Sequence, residues 1–330
     1  MGSDEKLWFS EFAIMKVPRN DPEGGAESVS LPQYQGPATA AYHKRLADRS
    51  REIRDRVEGD QVLDPTDVRS DLNFIIDNDI VDDVYDYAMC ASEHREEMYS
   101  HPLEVTFVAL RLGKGMGYDR DRLLDLGLAA FFENVGMYKI PGEILCKRGR
   151  LDEKEMAVIR NHPEMSRQIL LGMAEPYHRL ADVALQVHER WDGSGYPKGL
   201  KGNEISETAS IIGLADTYVA MIKHRPYRDK LLQTEAIKLI VKEGKGLFPA
   251  RLLKVFLDHI SLFPVNTLVR LNNRSIGRVV ATDHKQPLRP IVELIYDGEE
   301  NLLENRVVIR LCDNPLLHIV ESIDERDLAK

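Results

Sequence analysis

Apolar residues recur every three to four positions along most of the chain, then give way near the C-terminus to short β-branched runs. The first pattern predicts amphipathic helices at 42–58, 81–99, 103–116, 121–132, 152–161, 164–173, 180–190, 207–224, 234–243 and 250–259. Another starts at Asp64-Pro65, where Val68, Leu72, Ile75 and Ile76 follow at helical spacing. After Phe263, the runs TLVRL, IGRVV, IVELIY, RVVIRL and LHIVES are separated by NN, HKQP and DGEE turn signals, as in a small antiparallel β domain. Residues 7–17 are apolar enough for a short strand or docking arm, and 18–41, rich in Pro, Gly, Ser and Asp, read as a linker. The expected organisation is mainly α. An arm and linker (1–41) precede a helical region (42–100), a second helical domain (101–261) and the β domain (262–330).

Between two helical patterns lies WDGSGYPKGLKG (191–202), whose Gly and Pro forbid a long helix and require an ordered loop. Around it are spread imidazoles and carboxylates. Glu97 and His101 are four apart and share a helix face; His162, His188 and Asp216 fall on later helical segments. Taken singly, each is better read as a solvated or buried polar side chain. Together they suit a metal centre between facing helices, and the ligand types suit iron, manganese or zinc.

Composition narrows the function. With 330 residues and 43% hydrophobic content, the chain can bury one sizeable core and a second small one. A net charge of −10 argues against a DNA-binding or membrane-surface protein, since both need positive charge to meet phosphate. Three scattered cysteines, Cys90, Cys146 and Cys312, fit a reduced compartment. The first residues lack a signal-peptide pattern and no stretch is long enough for a membrane span, so a cytoplasmic location is expected. The runs at 48–56 and 93–98 read most simply as exposed helix faces.

The stretch HERWDGSGYPKGLKG, followed by IIGLADTYVAM and HRPYR, resembles the HD-GYP family of bacterial cyclic di-GMP phosphodiesterases. The likeness extends upstream through HPLEVTFVALRLGKGMGYDRDRLLDLGLAAFFENVGMYKIP and RGRLDEKEMAVIRNHPEMSRQIL, covering about residues 60–260. It implies an HD-type helical bundle and metal-assisted phosphodiester hydrolysis. Clustered cations would acidify water and neutralise phosphate charge. Carried over by position, His101, His162, His188 and Asp216 are implied metal ligands, with Glu97 serving a third metal. Gly195, Tyr196 and Pro197 form the signature loop, with Tyr196 beside the substrate. Arg225 and Arg228 form the implied phosphate-binding pair.

The sequence departs from the family where the His-Asp pair belongs. The stretch LLHDIGK is replaced by FFENVGM, so Glu133 stands for the His, Asn134 for the metal-bridging Asp and Met137 for the Lys. Val187 stands where the first of two histidines is implied, and Val219 replaces a later Asp. Glu133 keeps a carboxylate, whereas Asn134 offers one neutral carbonyl oxygen. Two unit charges 4 Å apart repel by roughly 4 kcal/mol at an effective dielectric of about 20, and divalent ions by more. Without a bridging acid, one iron or manganese ion at most is therefore expected. The resemblance then implies a degenerate member of cyclic di-GMP signalling with impaired or absent hydrolysis. Its alternatives are a phosphodiesterase with a remodelled centre, a nucleotide receptor, or a module that recruits a diguanylate cyclase domain.

Overall fold

The computed structural model describes residues 37–91, 97–147, 149–223, 231–282, 286, 288–299 and 301–323. The arm predicted at 7–17 and the pair Arg225 and Arg228 lie outside the described residues, as does the side chain of Glu97. The helices are α1 (Pro37–Glu58), α2 (Thr66–Asp77), α3 (Val81–Ala91), α4 (Glu97–Met116), α5 (Arg120–Phe132), α6 (Gly142–Leu145), α7 (Glu153–Arg160), α8 (His162–Leu171), α9 (Arg179–Gln186), α10 (Glu207–Ile222), α11 (Gln233–Glu243) and α12 (Ala250–His259). Five strands follow: β1 (Leu268–Leu271), β2 (Ile276–Ala281), β3 (Ile291–Tyr296), β4 (Leu302–Arg310) and β5 (Ile319–Ile323).

The chain is thus mainly α with a small C-terminal antiparallel sheet, as its periodicity predicts. Local chemistry sets several boundaries. Asp119 caps α5 by accepting from the Arg122 amide at 2.9 Å. Asp152 and Glu155 form a reciprocal capping box on α7. The Ser206 side chain accepts from the Ala209 amide to start α10.

Helix α10 sits at the centre of the bundle. From Ala209 to Ile222 every residue is buried, which its nearly unbroken apolar sequence requires. Around it, α4 and α5 bury Leu103, Phe107, Leu110, Leu126 and Phe132 in one continuous core with α1, α2, α3, α9 and α12.

Boundaries differ from the expectation at α1, which starts at Pro37 inside the predicted linker 18–41, at α9, which ends at Gln186 and not at 190, and between α3 and α4. The predicted helix at 81–99 ends as α3 at Ala91, and α4 begins at Glu97 and carries Pro102 inside it. A proline interrupts the backbone ladder, so Pro102 by itself favours a helix start at that point. Burial of Ser100, His101 and Leu103 offsets that loss and extends the helix through it.

The sheet has the order β4-β3-β2-β1-β5, all antiparallel. Val269, Leu271, Val279, Val292 and Leu311 form a separate apolar cluster under it. Thr234 on α11 meets Ser322 on β5 through their hydroxyls, 2.5 Å apart, tying the sheet to the helices.

Candidate metal centre

Three helical segments bring His101, Glu133 and Asp216 together, with one ligand atom of each within 4.8 Å of the others. His101 lies on α4, Asp216 on α10, and Glu133 directly follows α5. His101 donates from Nε2 to Asp216 Oδ1 at 2.9 Å, and both side chains are fully buried. Asn134 donates from Nδ2 to Glu133 Oε1 at 2.5 Å.

Three oxygens of this cluster are left over. Glu133 Oε2, Asn134 Oδ1 and Asp216 Oδ2 are buried without a hydrogen-bond partner. An unsatisfied buried acceptor costs about 1–3 kcal/mol, and more when charged. Burial pushes the Glu133 carboxyl well above the ordinary range, and the neighbouring Asp216 carboxylate adds to it. A divalent cation coordinated by these oxygens would remove both penalties, so the residues present fit such an ion. Imidazole with carboxylate oxygen suits iron, manganese or zinc without selecting among them.

His162 and His188 form a second buried group. Their Nε2 atoms are 2.8 Å apart. His162 Nδ1 donates to the Ile159 carbonyl at 2.7 Å, which leaves its Nε2 as acceptor and makes His188 Nε2 the donor. Burial holds the His162 imidazolium down, its pKa lowered to about 4, and His188 is lowered as well by burial and by His162. The pair is therefore neutral and satisfies itself.

The segment after Glu133 is fixed by close approach. A Cβ at Gly136 would lie 2.3 Å from the His162 carbonyl oxygen, so the turn bearing Asn134 can press onto the start of α8 only with glycine there. The Gly136 amide also donates to Ser166 Oγ at 2.9 Å.

The loop carrying Gly195, Tyr196 and Pro197 folds back over His188. A Cβ at Gly195 would meet the Arg190 amide nitrogen at 2.4 Å and the His188 carbonyl oxygen at 2.5 Å. Tyr196 stacks on His188 with ring centroids 5.0 Å apart and planes 2° from parallel. It also lies T-shaped to His162, with centroids 6.4 Å apart. Glu189 straps the loop down: its buried carboxylate accepts from the Lys198 amide at 2.7 Å and the Leu200 amide at 2.9 Å.

Three features escape a reading of the sequence. Glu189 stands next to His188 in HERWDG and looks like one more surface charge. Arg160, two residues before His162, places its guanidinium over the Tyr196 ring, 5.7 Å from the centroid. Lys223 and Glu104 form a buried ion pair between the end of α10 and α4. The available signal for that pair is a lone Glu in the otherwise apolar run LEVTFVAL.

The helical bundle with buried His, Glu and Asp at its centre is of the HD type. The chain belongs to the HD-domain family, which matches residues 87–252, and a KOW domain associated with HD domains matches residues 268–330. Its relatives place it with the HD-GYP members. It is 30% identical over 207 residues to the cyclic di-GMP phosphodiesterase PA4108 of Pseudomonas aeruginosa, covering 63% of this chain and 50% of that protein. It is 31% identical over 206 residues to the cyclic di-GMP phosphodiesterase PdeB of Borreliella burgdorferi, covering 62% and 54%. The chain thus spans about half the length of these curated relatives. The fold is shared with an HDGYP protein from Bdellovibrio bacteriovorus, with a TM-score of 0.53 at 15% identity over 67% of this chain and 70% of that one. Among the described residues, no helix is long and apolar enough to cross a membrane.

Proposed function

We propose that this protein acts in cyclic di-GMP signalling, holding one divalent cation on His101, Glu133 and Asp216 and binding a cyclic dinucleotide over it. Its hydrolysis falls far below that of a two-cation centre. The observation that carries this reading is the pair of acids Glu133 and Asp216, gathered with His101 and each with a buried, unpartnered oxygen, together with the unpartnered oxygen of Asn134 next to Glu133. They suit a cation, but two of the three belong to acids, and the third is a neutral amide whose nitrogen already donates to Glu133.

A bound cation would supply Lewis-acid charge against the phosphodiester and would acidify water. The protein's own groups do the rest. His101 and Asp216 are held against each other by their hydrogen bond, whose place a cation would take. The neutral His162–His188 pair holds a proton between its Nε2 atoms, beside the ring of Tyr196. Tyr196, packed on His188, is assigned to the border of the substrate pocket, and Arg225 and Arg228 to the phosphates, from the sequence resemblance. Glu97 is assigned to a second or third cation only where a bridging acid is restored.

Iron- or manganese-reconstituted protein, purified without oxygen, tests the reading by elemental analysis, by calorimetry with cyclic di-GMP and by a linearisation assay. One ion per chain with nucleotide binding and little product is expected. Two ions per chain with sustained turnover, no ion at all, or no binding at millimolar nucleotide would each overturn it.

A further inference from the structure

We infer that Glu189 is a positioning residue for nucleotide binding, holding the loop at residues 195–200 so that the Tyr196 ring stays flat on His188. This inference rests on the function proposed above and deepens it, because Tyr196 borders the substrate pocket only on that reading. Glu189 is 4% exposed, and its two oxygens serve two different donors. Oε1 accepts from the Lys198 amide at 2.7 Å and Oε2 from the Leu200 amide at 2.9 Å. Gly199 lies between these donors with φ at +66°. A left-handed residue there turns the amides on either side of it towards one point, which makes a backbone concavity suited to an anion. In this loop the anion is the chain's own side chain.

The strap and the ring share one frame. His188 supplies the surface under Tyr196, and its neighbour Glu189 supplies the tie. The Tyr196 amide donates to the His188 carbonyl at 3.2 Å. A Cβ at Gly195 would lie 2.5 Å from Glu189 Cα, so the backbone entering Tyr196 is pressed onto the strap residue itself. Tyr196 is thus fixed on its N-terminal side by His188 and on its C-terminal side by Glu189, acting two and four residues further on. A ring already held in place loses less freedom when a ligand packs beside it, so the strap favours binding without touching the ligand. Glutamine fills the same space but cannot do the same work. Its amide has one acceptor oxygen, and its NH2 group would face a backbone N–H.

The test compares Glu189→Gln, Tyr196→Leu and the double variant with the parent, all as the full metal-loaded chain. Calorimetry with cyclic di-GMP gives affinity, elemental analysis gives metal content, and NMR of labelled tyrosine rings reports the stack. Glu189→Gln should weaken cyclic di-GMP binding by about ten-fold, as for loss of a charge-assisted hydrogen bond, with metal content unchanged. The Tyr196 ring signals, shifted by the His188 ring in the parent, should move towards unstacked values. In the Tyr196→Leu background the same substitution should cost no further affinity, since the ring it positions is gone. An equal loss in both backgrounds would mean that Glu189 supports the fold at large, and would overturn the inference. Unchanged affinity and ring signals in Glu189→Gln would do the same. Hydrogen exchange of the parent needs no variant to fold: without nucleotide, the Lys198 and Leu200 amides should already be protected, and fast exchange there would overturn the strap. A parent that binds no cyclic di-GMP at millimolar ligand would overturn the proposed function, and the inference with it.

Discussion

His162 and His188 meet nitrogen to nitrogen, 2.8 Å apart in the buried interior, and only one proton can lie between them. Both imidazoles are held neutral by burial, which links the fold's stability to pH. His162 has its folded pKa lowered to about 4 from an ordinary 6.5. Between these values the unfolded chain takes up a proton that the folded one refuses, so stability falls as pH falls. The contribution is fully present above pH 6.5 and is lost as pH drops towards 4.

The expected loss across that window is about 3 kcal/mol from His162, since each pH unit between the two values is worth about 1.36 kcal/mol. Urea unfolding of chelator-treated protein at a series of pH values measures it. The slope should flatten in His162→Gln, and an unchanged slope in that variant would remove the pair as its cause.

Glu133→Gln should separate metal binding from folding. Desolvation and Asp216 both disfavour the Glu133 carboxylate, so the neutral amide should leave the metal-free protein as stable as the parent or more so. A cation, by contrast, needs the ionised form, and its affinity should drop about ten-fold or more. In the parent, affinity should climb with rising pH, because the raised carboxyl pKa must be passed before Glu133 ionises. Equal metal uptake by both proteins would exclude Glu133 as a ligand.

Asn134→Asp restores an acid directly beside Glu133, which the Asn134 amide contacts. It should raise the metal content from one ion per chain towards two and increase linearisation of cyclic di-GMP. In metal-free protein it should be destabilising, because it adds a buried acid against the Glu133 carboxyl. Metal counting by elemental analysis decides the point, and a second ion already present in the parent would contradict the premise.

Lys223 and Glu104 should behave as a unit. The Glu104 side chain is 1% exposed and that of Lys223 11%, so removing one partner strands the other. Lys223→Met alone should cost about 3–5 kcal/mol, and adding Glu104→Leu should recover most of it. Denaturant midpoints for the two singles and the double form the cycle. Additive losses would mean the pair contributes no coupling.

The sequence by itself determined the elements and their class. Apolar positions recurring at helical spacing make the helices, and β-branched runs between turn signals make antiparallel strands. These features are local, so spacing and residue type suffice to read them. The grouping of His101, Glu133 and Asp216 was legible only as a resemblance, because the partners lie as many as 115 positions apart and no local rule sets their distance. Tertiary packing alone decided that α4 runs through Pro102, that His162 faces His188, that Glu189 turns inward to hold the loop, and that Arg160 covers Tyr196. In each case the deciding term is the free energy of burying groups from distant segments together. That energy outweighs the local preference of a proline for helix starts or of a charged residue for water.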